Sequence, residues 1–374
     1  MATDTTMRIL HLGFEDPRMP GAGGGSVRTH EINRRLVAAG HDVTVLTTGY
    51  PDAVERVQDG VHYVPVGAGR GANRLSRLAG YITGLPAAAR RYPDVDLVVE
   101  DFFAPFSTMA APLWTGRPTI GIVQWLHARE KARQYGLPFH VVERAGVRRH
   151  HHLIAVSHGT AERLLAMNPR LRVDVIGNGV DPRAFATTPC TGRDIVFLGR
   201  LELVGKGLDL LLDAWAKACA HVEGRLIVAG GGPDETRVRA RIAELGLSHR
   251  VSFAGWVSGA EKFRLLASAR LVVVPSRHET FGLVALEALA SGTPVIAFDI
   301  PCLQEVVPRG AGWRIPPFDV EALADRIVEA HADHDQLAAA GRAGRAFAAG
   351  YDWDVLACRQ ADVYRAALAA APVH

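Results

Sequence analysis

Cysteine is scarce: Cys190, Cys219, Cys302 and Cys358 are the only four in 374 residues, spaced too widely for a disulfide framework or a paired metal-binding motif. They fit a reducing interior. Long apolar runs are missing as well, since none approaches the roughly 20 residues needed to span a bilayer. The stretch Met1 to Ile9 has no charged segment followed by an apolar one, so it does not read as a secretory leader. These absences lead us to expect a cytoplasmic protein, with peripheral contact at a membrane surface left open. Charge of one sign is also lacking. A formal net charge of +3 and the absence of a long basic block argue against nucleic acid as a partner, and Arg148-Arg149 reads as solvated surface.

What is present is ordinary globular chemistry, 48% hydrophobic and 22% charged, in a chain long enough for two domains. Short apolar runs alternate with amphipathic stretches, the pattern of strand-helix-strand units on parallel sheets. The first series has expected strands at 7–12, 43–47, 97–100, 119–123, 153–156 and 172–176, with a helix over 26–39. The second has strands at 195–198, 225–229, 251–253, 271–274 and 294–297, with its clearest helix over 207–219. Thr187-Thr188-Pro189-Cys190-Thr191-Gly192 is polar and turn-rich, so we expect the domain boundary there: residues 1–187, then 188–354.

The most informative segment runs from Pro275 to Glu287, which follows an apolar strand and opens a helix. Parallel α/β sheets hold ligands beyond the carboxyl ends of their strands, and a helix N-terminus presents unpaired N–H groups to a phosphate. Gly282 permits close backbone approach. Glu287 is the only charged residue between Phe281 and Gly292, which implies a partly buried carboxylate that needs a partner. Gly199-Arg200 ends another strand and Lys206-Gly207 opens the next helix, so two cations are expected at one sheet edge. A Lys beside the positive helix end is unfavourable unless an anion shares the site, and a diphosphate would satisfy both cations. The loop Gly21 to Ser26, with Gly24 and Gly25, again places glycine between a first strand and first helix. It has neither Rossmann nor Walker spacing, so neither a dinucleotide nor ATP hydrolysis is indicated.

This ordered set resembles the retaining glycosyltransferases of the GT-B fold, family 4, over almost the whole chain. The resemblance rests on Glu279 and Glu287 with seven residues between them, Phe281-Gly282-Leu283, Asn178-Gly179-Val180-Asp181, Gly199-Arg200 with Lys206-Gly207, Ala229 to Pro233, Phe253-Ala254-Gly255-Trp256 and Ser291 to Val295. It implies two Rossmann-like α/β domains facing across a cleft, with a tail, 355–374, that returns to the first after Tyr351-Asp352-Trp353. It also implies a nucleotide diphosphate sugar as donor, bound mainly by the second domain. Arg200 and Lys206 would hold the diphosphate, Glu287 the ribose hydroxyls, and Gly255, Trp256 and Val257 would line the base. Glu279 would face the sugar, and the amides of Phe281, Gly282, Leu283 and Val284 would complete the contacts. No obligatory metal is expected, because no Asp-x-Asp motif lies near that diphosphate site. Relatives place a His near the sugar at the end of an N-terminal strand, where Val123-Gln124-Trp125-Leu126-His127 leaves Gln124 and His127 as alternatives.

The acceptor is less legible. Glu100-Asp101 directly after an apolar strand suggests a small polar acceptor, an amine-bearing sugar or cyclitol of a natural product pathway. Arg129, with Lys131 and Arg133, suggests instead a phosphorylated or lipid-phosphate acceptor. The rival functions are a nucleotide-sugar 2-epimerase, which needs no acceptor, and a hinged sugar-binding protein. His150-His151-His152 precedes a strand, where neighbouring side chains point to opposite faces, so a three-His metal site is not expected.

Overall fold

The computed structural model describes residues 6–20, 22–67, 74–102, 107–126, 128, 132, 138–189 and 192–370. The chain forms two compact units, Met1–Asn178 with Trp353–His374, and Gly179–Asp352.

Unit one is built on an eight-stranded sheet in the order β3-β4-β2-β1-β5-β6-β7-β8. Its strands are β1 (Arg8–Leu12), β2 (Asp42–Thr48), β3 (Arg56–Gln58), β4 (Val61–Val66), β5 (Leu97–Asp101), β6 (Thr119–Val123), β7 (His152–Ala155) and β8 (Arg172–Val175). All pairings are parallel except β3 with β4, a hairpin that continues into the sheet edge. Neither β3 nor β4 was expected from the sequence. Pro65 sits inside β4, and proline lacks the N–H a central strand position uses. The helix Trp353–Ala370 packs on this unit, where Trp353, Leu356, Ala357, Ala361 and Tyr364 join the core formed by β1, β2 and the helix Gly24–Ala38. Buried Arg28 on that first helix donates to Gln360 Oε1 at 2.8 Å and to the Ile176 carbonyl at 3.2 Å, tying the tail in place.

Unit two holds a six-stranded, all-parallel sheet in the order β11-β10-β9-β12-β13-β14. The strands are β9 (Ile195–Leu198), β10 (Leu226–Ala229), β11 (Val251–Gly255), β12 (Leu271–Val274), β13 (Val295–Phe298) and β14 (Gly312–Ile315). Counted within the unit this is the order 3-2-1-4-5-6 of a doubly wound fold, whose strand order reverses between β9 and β12. Apolar runs such as Leu271-Val272-Val273-Val274 form strands because helices cover both faces and bury every side chain. The helix Leu208–Ala218 shows the complementary pattern, burying Leu208, Leu211, Leu212, Trp215 and Ala218 at helical spacing. β14, Gly-Trp-Arg-Ile, escaped sequence reading because it is short and carries a charge.

The boundary lies nine residues before the expected 187/188. The helix Pro182–Phe185, capped by Asp181, packs against the helices Gly259–Ser268 and Leu283–Ala290. Arg345 donates to the Thr187 carbonyl at 2.9 Å and also to that of Phe185. The segment from Gly179 to Thr187 therefore belongs to unit two. A turn-rich composition marks a change of direction, and only packing decides where a domain ends.

Gly207 caps the helix Leu208–Ala218 at φ +67°, and a Cβ there would lie 1.8 Å from the Pro275 carbonyl oxygen. Gly207→Ala is therefore expected to destabilise the fold by more than about 2 kcal/mol, through left-handed strain and a backbone clash. Urea denaturation measures this, and an unshifted midpoint would contradict the close approach of the two loops.

Candidate functional site

In unit two the loops that follow β9 and β12 leave adjacent parallel strands at the same edge. Arg277 joins them: its backbone N–H donates to the Gly205 carbonyl at 3.2 Å, and its guanidinium reaches the Val204 carbonyl at 2.7 Å. The same guanidinium forks onto Asp209 at 2.7 and 2.8 Å. With the loops held, Lys206 Nζ donates to Glu279 Oε1 at 2.6 Å, and Ser276 Oγ donates to the same oxygen at 2.9 Å. Both ion-pair partners are largely withdrawn from solvent.

The helix Leu283–Ala290 starts beside this pair. Its N-cap is Gly282 at φ +89°, where a Cβ would meet Leu303 at 2.8 Å and Val306 at 3.0 Å. No side chain caps this end and no acidic residue lies in its first turn. The first backbone N–H groups of any α-helix lack an intrahelical acceptor, so the Leu283 and Val284 amides and the positive dipole end lie at the sheet's carboxyl edge. Phe281 is buried, its ring edge-on to Tyr351 at 6.0 Å. Glu287, one turn further along, accepts from Lys262 Nζ at 2.6 Å.

Other expected donor residues are spread more widely. Arg200 does not join Lys206: its Nε sits 3.0 Å from Glu202 Oε1 and its side chain is 65% exposed. Gly230 donates its N–H to the Gly255 carbonyl at 2.7 Å, and Gly255 itself has φ +69°. Trp256 follows, 76% exposed, beside the glycine turn at Gly231, while Val257 is buried.

In unit one the switch point lies between β1 and β5. The helix Gly24–Ala38 begins there without a side-chain cap, and Glu15 Oε2 accepts the N–H of Gly23 at 3.1 Å. Gln124, just past β6, donates Nε2 to the Gly25 carbonyl at 3.3 Å. Asp101 ends β5 buried, with Oδ1 3.1 Å from His11 Nε2 and Oδ2 accepting from Thr29 Oγ1 at 3.3 Å. The Asn33 side-chain nitrogen lies 3.0 Å from His11 Nδ1. His127 and Arg129 lie outside the described residues.

Glu100 is corrected from an acceptor contact to a core residue. It is buried, with Oε1 accepting from Ser107 at 2.9 Å and from Thr108, and Oε2 accepting from the Ala111 N–H and His150 Nε2, both at 3.2 Å. Burial pushes its carboxyl up, but His150 and the two hydroxyls outweigh that and hold it below the usual range. β5 alternates its side chains, which is why consecutive carboxylates here serve different surroundings. His150 and His152 are each committed to a carboxylate, His152 to Asp174 at 2.6 Å.

Sequence reading assigned no role to Ser276, Arg277, Lys262 or His11. Each acts through a partner 3 to 90 residues away, and only Ser276, three before Glu279, left a local signal.

Two parallel-sheet α/β units, the second with an uncapped helix N-terminus and a Lys–Glu pair at its switch point, have the architecture of the GT-B glycosyltransferases. Sucrose-phosphate synthase from Thermosynechococcus elongatus matches this structure with TM-score 0.83 at 23% identity, covering 98% of this chain and 100% of that one. The profile of Glycosyltransferase Family 4 matches residues 22–184, and that of Glycosyl transferases group 1 matches residues 181–347. GDP-mannose:cellobiosyl-diphosphopolyprenol alpha-mannosyltransferase of Xanthomonas campestris is 31% identical over 280 residues, 72% of this chain and 72% of that one. D-inositol 3-phosphate glycosyltransferase of Thermobispora bispora is 28% identical over 97% of this chain and 94% of that one. The chain belongs to glycosyltransferase family 4. It is a hexosyltransferase-type enzyme that uses nucleotide-sugar donors. Among the described residues no helix is long and apolar enough to cross a membrane.

Cys302 lies under the site, its Sγ donating to the Glu279 carbonyl at 3.1 Å. Burial, with Glu279 and Glu305 nearby, pushes its thiol up to about 12. Because the thiolate is the reactive species, iodoacetamide near neutral pH should label exposed Cys358 and spare Cys302 in the folded protein. Peptide mapping reads this out, and fast labelling of Cys302 would contradict the packing beneath Glu279.

Proposed function

We propose that the enzyme is a retaining hexosyltransferase of the cytoplasm that moves a sugar from a nucleoside diphosphate donor, bound by unit two, to a small polar acceptor bound by unit one. The observation that carries the donor half is Lys206 Nζ at 2.6 Å from Glu279, beside an uncapped helix N-terminus at the switch point. Departure of a nucleoside diphosphate develops negative charge on the leaving oxygen, and fixed cations and N–H groups stabilise it best where solvent is partly excluded. In this reading a diphosphate competes with Glu279 for Lys206, with Arg200 swinging in from its exposed position and the amides of Phe281 to Val284 adding donors. Glu279 then faces the transferred sugar. Glu287 takes the ribose hydroxyls, and Gly255, Trp256 and Val257 line the base. Retention follows from attack on the face the diphosphate leaves, with a departing phosphate oxygen taking the acceptor proton. Lys206 and the helix end supply the charge stabilisation, so no obligatory metal is proposed.

For the acceptor we favour a sugar or cyclitol, amine-bearing where Asp101 takes the ammonium group, since Glu100 is committed to the core. A second reading, a phosphorylated acceptor met by Arg129, is favoured by the names of the two relatives, one acting on a diphosphopolyprenol and one on inositol 3-phosphate. A screen of aminocyclitols, inositol and inositol 3-phosphate separates them. Transfer to aminocyclitols diminished by Asp101→Asn supports the first, and transfer confined to phosphorylated acceptors and indifferent to Asp101 supports the second. A donor sugar epimerised with no acceptor present would replace both.

Lys206→Ala should lower kcat/KM about 10²- to 10³-fold, the usual cost of removing one charge-stabilising donor. Arg200→Ala should cost less, about tenfold, because its ordering must first be supplied by the ligand. Release of nucleoside diphosphate from the donor measures both, and wild-type turnover in a folded Lys206→Ala protein would overturn the assignment.

A further inference from the structure

Glu287 sits in a helix whose other seven residues, Leu283 to Leu286 and Ala288 to Ala290, are all apolar. Its side chain is 13% exposed, and its partner Lys262, on the helix Gly259–Ser268, is 23% exposed. Taking a carboxylate this far from water is costly unless a charge and a hydrogen bond compensate. Lys262 supplies both, and its Nζ also stands 4.5 Å from the Phe263 ring centroid.

The other charged groups around Glu287 do not replace it. The helix Pro182–Phe185 region brings Asp181, a like charge, which Arg183 holds through both of its carboxylate oxygens. β12 and β13 carry no charged side chain. The helix His334–Ala348 directs Arg345 to the Phe185 and Thr187 carbonyls, and Glu305 on the helix Pro301–Val306 acts on Cys302. Burial pushes the Glu287 carboxyl up and Asp181 adds to this, whereas Lys262 opposes both.

We propose that Lys262 is the positioning residue for nucleotide ribose: it occupies one oxygen of Glu287 and fixes the carboxylate's rotamer, leaving the second oxygen to accept from a ribose hydroxyl. The inference rests on the reading that Glu287 takes the ribose. Without Lys262 nothing offsets burial and Asp181, so the carboxyl rises further and the charged acceptor offered to ribose weakens towards acid pH.

The test is calorimetric binding of the tightest of UDP, GDP and ADP, with its 2′,3′-dideoxy counterpart, to wild type, Lys262→Met, Lys262→Arg and Glu287→Gln between about pH 6.5 and 9, a range below the ordinary titration of lysine. Lys262→Met should bind the ribonucleotide about tenfold more weakly at the acid end and recover towards the alkaline end, as expected for loss of one charged hydrogen bond. Lys262→Arg should restore affinity at every pH, and the dideoxynucleotide should bind wild type and Lys262→Met alike. Thermal melts confirm folding, and Lys262→Arg against wild type decides if Lys262→Met does not fold. A loss that is flat with pH, that is shared by the dideoxynucleotide, or that arginine fails to rescue overturns the role of Lys262. If instead Glu287→Gln leaves the preference for ribose over dideoxyribose unchanged, the ribose assignment itself has failed.

Discussion

The 2.6 Å contact between Lys206 and Glu279 spans 73 residues of sequence and exists because β9 and β12 are neighbours. Strand order in a doubly wound sheet reverses between these two, so the loops that leave them diverge to opposite faces and open a crevice at their base. Gly207 packed on Pro275 and Arg277 forked onto Asp209 close the lower part of that crevice. Lys206, Glu279 and the N-terminus of the helix Leu283–Ala290 lie together at the sheet's carboxyl edge. The pair is only partly exposed, so its Coulomb gain is offset by the desolvation of both charges. In the proposed function its role is electrostatic: it holds a cation beside the helix N-terminus for an anion to claim.

Much of this was readable from local chemistry. Apolar strands, glycine after strand ends and a lone charge on an apolar helix all follow from short-range physics, and the elements they implied were found within one or two residues at most boundaries. The misses share a cause. Lys262 with Glu287, His11 with Asp101 and Glu100 with His150 are pairs set by which helix or strand lies alongside, and residue spacing carries no trace of that. Arg200 was expected beside Lys206, yet it pairs with Glu202 two residues on, a local option that the motif reading overlooked. The domain boundary failed for a related reason, since the helix Pro182–Phe185 is too short to carry a periodic signal and is placed by packing.

The two adjacent carboxylates of β5 show how burial sorts similar residues. Glu100 points into the core and anchors the segment Ser107 to Ala111, while Asp101 reaches His11 and Thr29 near the start of the first helix. One serves folding, and the other lies at the switch point where unit one would meet an acceptor. Unit two also pairs two glutamates with lysines, Glu279 in the loop before the helix Leu283–Ala290 and Glu287 one turn inside it.

The central claim is that Lys206 and the start of the helix Leu283–Ala290 hold the donor's diphosphate. A crystal structure with an intact nucleoside diphosphate sugar tests it most directly. The account predicts the sugar-proximal phosphate within hydrogen-bond distance of Lys206 Nζ and of the Leu283 or Val284 amide, with the lysine drawn off Glu279. A diphosphate bound elsewhere, with Lys206 still on Glu279, would contradict it.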